Sequence, residues 1–128
     1  MNVGEYMRTP KGVGKIVKTY QDKQDSYIYL DSGITIDYIT KDFTKDEINK
    51  MYPSSPNIID LIDGGDLMYI DISPDNSGGI VVPRVAETQY ELDKYKELLN
   101  SERYILKGIV TYEQLFQMEY KVGGNNDS

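Results

Sequence analysis

Asp60, Asp63 and Asp66 recur every three residues and form the nearest thing in this sequence to a set of side chains that could do chemistry. Carboxylates so spaced can hold a divalent cation through oxygen ligands, or share the work of general acid and base in a hydrolase. The run is not an EF-hand loop, because the terminal bidentate glutamate is missing and the chain goes on into a predicted strand. The sequence has no histidine and no cysteine. That removes imidazole acid–base work, Ser-His nucleophiles, thiolate catalysis and thiolate metal sites. A carboxylate–metal hydrolase is the one enzyme reading left standing, and a binding protein is favoured over it. No cofactor is expected.

Two charged surfaces are the other candidates. Asp60, Asp63, Asp66, Asp71 and Asp75 are five acids with no base between them, and are expected to make an acidic face that meets a partner. Arg8, Lys11, Lys15 and Lys18 stand against Glu5 alone, giving residues 1–20 a local charge of +3 within a chain of −7. Strand alternation can bring Lys11, Lys15 and Arg8 to one side with Tyr6 and Tyr20 nearby, the composition of a small nucleic-acid-binding barrel. The overall acidity opposes that reading, since such binding rests on neutralising phosphates. Gly12-Val13-Gly14-Lys15 lacks the spacing of a phosphate loop, with Ile16 after the lysine. Its glycines suit a hairpin turn and a close backbone approach. The 12 tyrosines fit half-buried sheet positions, or an aromatic interaction surface.

Short strands must position these residues. Glu5–Thr9 and Val13–Tyr20 read as strands around the Pro10-Lys11-Gly12 turn. Tyr27–Leu30 and Ile34–Ile39 read as a hairpin about Asp31-Ser32-Gly33. Thr44-x-x-Glu47 has capping-box spacing and predicts a helix to about Met51, stopped by Pro53-Ser54-Ser55-Pro56. Asn57–Ile62 fits either a strand or one helical turn. Leu67–Ile72 and Ile80–Val82 are predicted strands flanking a Pro74–Gly79 turn. Thr88-x-x-Glu91 opens a helix to about Leu99, with Tyr90, Leu92, Tyr95, Leu98 and Leu99 as its apolar stripe. Tyr104–Val110 is a strand, and Thr111-x-x-Gln114 a third capping box.

The expected fold is α+β and mostly β: a small SH3-like barrel or rolled antiparallel sheet at the N-terminus, with two or three short helices. The chain is read as one compact domain over 1–122, with sub-units 1–52 and 57–122 left open, and a flexible tail at 123–128. Val3-Gly4-Glu5-Tyr6-Met7 echoes Gly64-Gly65-Asp66-Leu67-Met68 as glycine, acid, apolar, methionine. The echo leaves a duplicated unit open, with glycine allowing a sharp approach to the strand and the acid capping it. No membrane span or signal peptide is read, so the expected compartment is the cytoplasm.

Val3–Thr9, Gly12–Ile16, Asn57–Ile62 with Gly65-Asp66, and Ile109–Phe116 before Met118–Val122 together resemble a family of small uncharacterised proteins. These are encoded by phages and prophages of clostridia and related Gram-positive bacteria. The resemblance implies a mobile-element origin and a bacterial cytoplasm, and carries over no catalytic residue. The resulting expectation is a non-enzymatic phage accessory protein whose acidic face binds a host or phage protein. It would be an inhibitor of a nucleic-acid-handling or defence enzyme. An SH3-like nucleic-acid module and a carboxylate–metal hydrolase are the alternatives.

Overall fold

A computed structural model describes residues 1–73 and 79–118, so Asp75, most of the predicted Pro74–Gly79 turn and the 123–128 tail lie outside the described residues. The protein is α+β and mostly sheet, with two antiparallel sheets. Its chain divides into two compact units, Met1–Leu61 and Ile62–Ser128.

The first unit is a five-stranded sheet in the order β4-β3-β2-β1-β5. Its strands are β1 (Tyr6–Thr9), β2 (Gly12–Gln21), β3 (Asp25–Leu30), β4 (Thr35–Ile39) and β5 (Ser54–Ser55), with helix α1 at Lys45–Met51 and a 3₁₀ turn at Ile58–Leu61. Period-two alternation decides which side each residue takes. Ser26, Ile28 and Leu30 on β3 turn inward, while Tyr27 and Tyr29 between them are half-exposed. Met7, Ile16, Ile28, Leu30 and Ile48 form the core, and Ile34, Ile36, Tyr38 and Tyr52 pack against it. Ile48 reaches that core because Thr44 and Glu47 fix the start of α1. The Glu47 N–H donates to Thr44 Oγ1 at 3.1 Å, and the Thr44 N–H donates to Glu47 Oε1 at 3.0 Å.

Gly14 is the close approach that the sequence suggested. A Cβ there would lie 2.7 Å from Ser32 Oγ and 3.0 Å from Leu30 Cβ. The turn between β3 and β4 therefore rests directly on β2. Among the described residues no closed barrel forms: β4 and β5 end the sheet and do not pair with each other. Strand β5 is only two residues long because Pro53 and Pro56 flank it, and proline has no N–H to donate to a ladder.

The second unit is a three-stranded sheet, β7-β6-β8, made of β6 (Leu67–Asp71), β7 (Val81–Val85) and β8 (Ile105–Val110). Helix α2 spans Gln89–Asn100 between β7 and β8, and α3 follows over 112–118. Pro83 sits on β7, a sheet edge, where a missing N–H is tolerated. Buried apolar residues here are Ile62, Met68, Ile70, Ala86, Leu92 and Leu99. The stripe on α2 is narrower than the sequence suggested. Tyr90 is 76 % exposed, because two residues back from Leu92 is about 200° around a helix. Thr111 and Gln114 satisfy each other's backbone N–H groups, at 3.2 and 2.9 Å.

Each unit begins with the same local structure. Gly4 and Gly65 have φ of +95° and +90°, a conformation that side chains other than glycine rarely adopt. The residue after each glycine donates its N–H three residues back, Glu5 to Asn2 O at 3.0 Å and Asp66 to Asp63 O at 3.2 Å. Its carboxylate accepts in return, from the Asn2 N–H at 2.6 Å and the Asp63 N–H at 2.7 Å. Each glycine N–H also crosses to the hairpin partner, Gly4 to Ile16 O and Gly65 to Ala86 O. The strand that follows has a neighbour on both sides in its sheet, and its methionine, Met7 or Met68, is fully buried. Both strands pair antiparallel with the next strand in the chain and with a strand that follows a threonine-capped helix. The β3–β4 hairpin of the first unit has no counterpart among the described strands of the second.

Candidate binding face

The hairpin that distinguishes the first unit carries a ladder of tyrosines on its outward side. Tyr20 stands opposite Tyr27 across β2 and β3, and Lys18 stands opposite Tyr29. The ring centroids of Tyr20 and Tyr27 are 6.0 Å apart, and those of Tyr27 and Tyr29 are 6.1 Å apart. Such spacing is that of interacting aromatic pairs. Strand β4 continues this side with Thr35, Asp37 and Ile39, all exposed, and Asp37 lies directly opposite Tyr27. An irregularity in β2 between Ile16 and Lys18 adds Val17, 51 % exposed. The result is an aromatic and aliphatic surface open to solvent on the outward side of the sheet.

Charge divides this face into two ends. Lys15 lies over the Tyr6 ring at 5.8 Å, and Lys18 over the Tyr29 ring at 5.9 Å, both within cation–π range. Asp22, Asp25 and Asp37 gather about Tyr20 and Tyr27 at the other end. Asp22 is taken up by the turn: its carboxylate accepts the N–H groups of Asp25 at 2.7 Å and Gln24 at 2.8 Å, and the Tyr20 hydroxyl at 3.0 Å. Those bonds hold its pKa below the ordinary aspartate value, the Asp25 N–H contributing most. Asp25 and Asp37 have no ion-pair or hydrogen-bond partner for their carboxylates among the described residues. A hollow of about 270 Å³, lined by Met1, Val3, Tyr20, Tyr27 and Lys45 among others, adjoins the ladder.

The negative end acts on the phenols. The hydrogen bond and the charge of Asp22 raise the Tyr20 pKa. Tyr27 is raised chiefly by the Asp25 carboxylate, then by burial and Asp37. Because the folded values lie above the unfolded one, this contribution to stability is complete below the ordinary tyrosine pKa. It is lost as pH rises through the raised values. A tyrosinate absorbance titration should therefore show a late fraction, and Asp25→Asn should move the Tyr27 component back down. Added salt should reduce both shifts. If Asp25→Asn left the Tyr27 midpoint unchanged, the field assigned to that carboxylate would be wrong.

The residues singled out in the sequence are placed differently from one another. Lys11, Lys15 and Lys18 are exposed, as a charged surface requires. Arg8 is not part of it: it is 6 % exposed, and its Nη1 donates to Leu61 O at 2.8 Å. Of the expected acidic face, Asp66 and Asp71 are withdrawn from the surface. Asp66 is fully buried, and its carboxylate accepts the N–H groups of Asp63 at 2.7 Å and Tyr112 at 3.0 Å. Asp71 is 6 % exposed and accepts the Ser73 N–H. Asp60, which receives the Ser55 hydroxyl, and Asp63 remain exposed. Among the described residues no three carboxylates are gathered where they could share a metal ion. A buried carboxylate that ties down backbone N–H groups stabilises a turn and is not offered to a partner.

No family model, curated protein or solved structure matches this chain. Among the described residues no helix is long and apolar enough to cross a membrane. The site therefore rests on its geometry. The sequence shows Tyr27-x-Tyr29 and Lys18-x-Tyr20 as period-two spacings, and the β2–β3 register sets them opposite each other.

Proposed function

We propose that this chain is a non-enzymatic binding protein that holds a protein partner on the Tyr20–Tyr27–Tyr29 face of β2–β3–β4. The observation that carries the reading is that this face is built around the β3–β4 hairpin, which has no counterpart among the described strands of the second unit. On this reading the two units are copies of one module, the first with an SH3-like elaboration of its sheet, and the shared glycine–acid turn supports the copying. Tyrosines mixed with a few aliphatic side chains have the composition of a protein interface core, and the charges flanking them suit its polar rim. Non-enzymatic action is favoured by the absence of histidine and cysteine, and by Asp66 and Asp71 being turned to backbone N–H groups. The resemblance to phage and prophage proteins supplies the context, an accessory protein acting in a bacterial cytoplasm on a host or phage protein.

A single-stranded nucleic acid is the second reading for the same face, favoured by Lys15 and Lys18 beside tyrosine rings. Two exposed lysines neutralise few phosphates, and Asp25 and Asp37 repel them. The test is capture from nuclease-treated and untreated bacterial lysate on the immobilised full-length chain. We expect a protein retained after nuclease treatment, lost with Tyr20→Ser/Tyr27→Ser/Tyr29→Ser and kept with Asp60→Asn/Asp63→Asn. Recovery of nucleic acid alone, or loss only in the aspartate variant, would overturn the proposal.

A further inference from the structure

The tyrosine face already binds cations twice, and both are its own. Lys15 lies over the Tyr6 ring and Lys18 over the Tyr29 ring. Tyr27 sits in the ladder between Tyr20 and Tyr29, half-exposed, and no cation of the chain lies over its ring among the described residues. Lys45 lines the adjoining hollow without taking that place. Yet Tyr27 has two carboxylates beside it that favour one. Asp37 is its direct cross-strand neighbour, Asp25 is two residues away on the same side of β3, and neither carboxylate is paired among the described residues. The same two carboxylates raise the Tyr27 pKa, the signature of a negative local potential.

We infer that the partner reaches this face with an extended segment presenting an arginine, whose guanidinium lies on the Tyr27 ring and pairs with Asp25 and Asp37. This rests on the protein-binding reading and specifies its chemistry. Arginine suits the position better than lysine, because its plane stacks on an aromatic ring while its donors fork toward carboxylates. Phosphate is the wrong sign for the same spot.

The probe is a short Thr/Val peptide with one central arginine, titrated into the full-length isotope-labelled chain. Its twin carries citrulline, which has the same shape without the charge. We expect the arginine peptide to shift the Tyr20 and Tyr27 ring signals and the Asp25 and Asp37 amides. Citrulline should bind about five-fold more weakly. Asp25→Asn/Asp37→Asn, at exposed positions that leave the core intact, should erase that difference. Equal binding of the two peptides, or no shifts on β2–β4, would overturn the inference. A partner still captured through the tyrosines would then leave the broader reading standing. Oligothymidine displacing the arginine peptide from this face would overturn both.

Discussion

Asp66→Ala is expected to destabilise the second unit by about 2–4 kcal/mol, one of the largest effects available at a single position. The side chain has no exposed surface, and its two oxygens accept separate backbone N–H groups, those of Asp63 and Tyr112. Alanine would leave both part-buried donors without that acceptor, and an unmet buried donor costs about 1–3 kcal/mol. The Tyr112 bond spans 46 residues and ties the turn before β6 to the start of α3. Losing it should loosen residues far apart in sequence. Urea denaturation would measure the total, and amide exchange would place it among residues 62–118. Asp66→Asn should cost less, since its amide keeps one accepting oxygen. Glu5, the counterpart in the first unit, is partly exposed, so water can replace its carboxylate and Glu5→Ala should cost much less. Equal losses at Glu5 and Asp66 would show that burial is not what separates them.

Met7→Ala is expected to cost about 2–5 kcal/mol. Met7 is fully buried on β1, an interior strand of the first unit's sheet, where Ile16, Ile28, Leu30 and Ile48 share its core. Its removal loses the transfer energy of a large side chain and leaves a cavity that five strands cannot readily close. Met7→Leu keeps most of the volume and should cost less than about 1.5 kcal/mol. Met51, 56 % exposed at the end of α1, makes the control, with Met51→Ala within about 0.5 kcal/mol of the parent. Denaturant midpoints with unchanged slopes would establish these as losses of stability and not changes in the unfolded chain. A cost at Met7 no greater than at Met51 would contradict the core described here.

Much of the fold was legible wherever a local pattern carries its own mechanism. Thr44-x-x-Glu47 and Thr111-x-x-Gln114 closed as reciprocal caps because side chain and backbone are near neighbours in sequence. Thr88-x-x-Glu91 closed only halfway: Thr88 accepts the Glu91 N–H, while the Glu91 carboxylate takes the N–H of Glu87. The run at Asn57–Ile62 became a 3₁₀ turn at Ile58–Leu61, helped by Asn57 Oδ1 accepting the Ile59 N–H. Strand β5 was not legible, since two serines between prolines have no period to read.

The candidate site was harder to read, and Asp66 shows why. Composition places it in an acidic run, while its position after Gly65 makes it the cap of a turn. Both readings were open in the sequence. Only the long-range partner, the N–H of Tyr112, decides between them, and nothing local announces it. Arg8 was obscured in the same way by Leu61 O, 53 residues distant. The tyrosine ladder needed pairing register as well as alternation, because Tyr20 meets Tyr27 only through the β2–β3 alignment.

The central claim is that the outward side of β2–β3–β4 is the working surface. Amide exchange on the full-length chain, alone and with the captured partner, tests it most directly. We predict that slowed exchange concentrates in residues 15–20, 25–29 and 35–39. Slowing confined to residues 60–73, with the tyrosine strands unchanged, would contradict it.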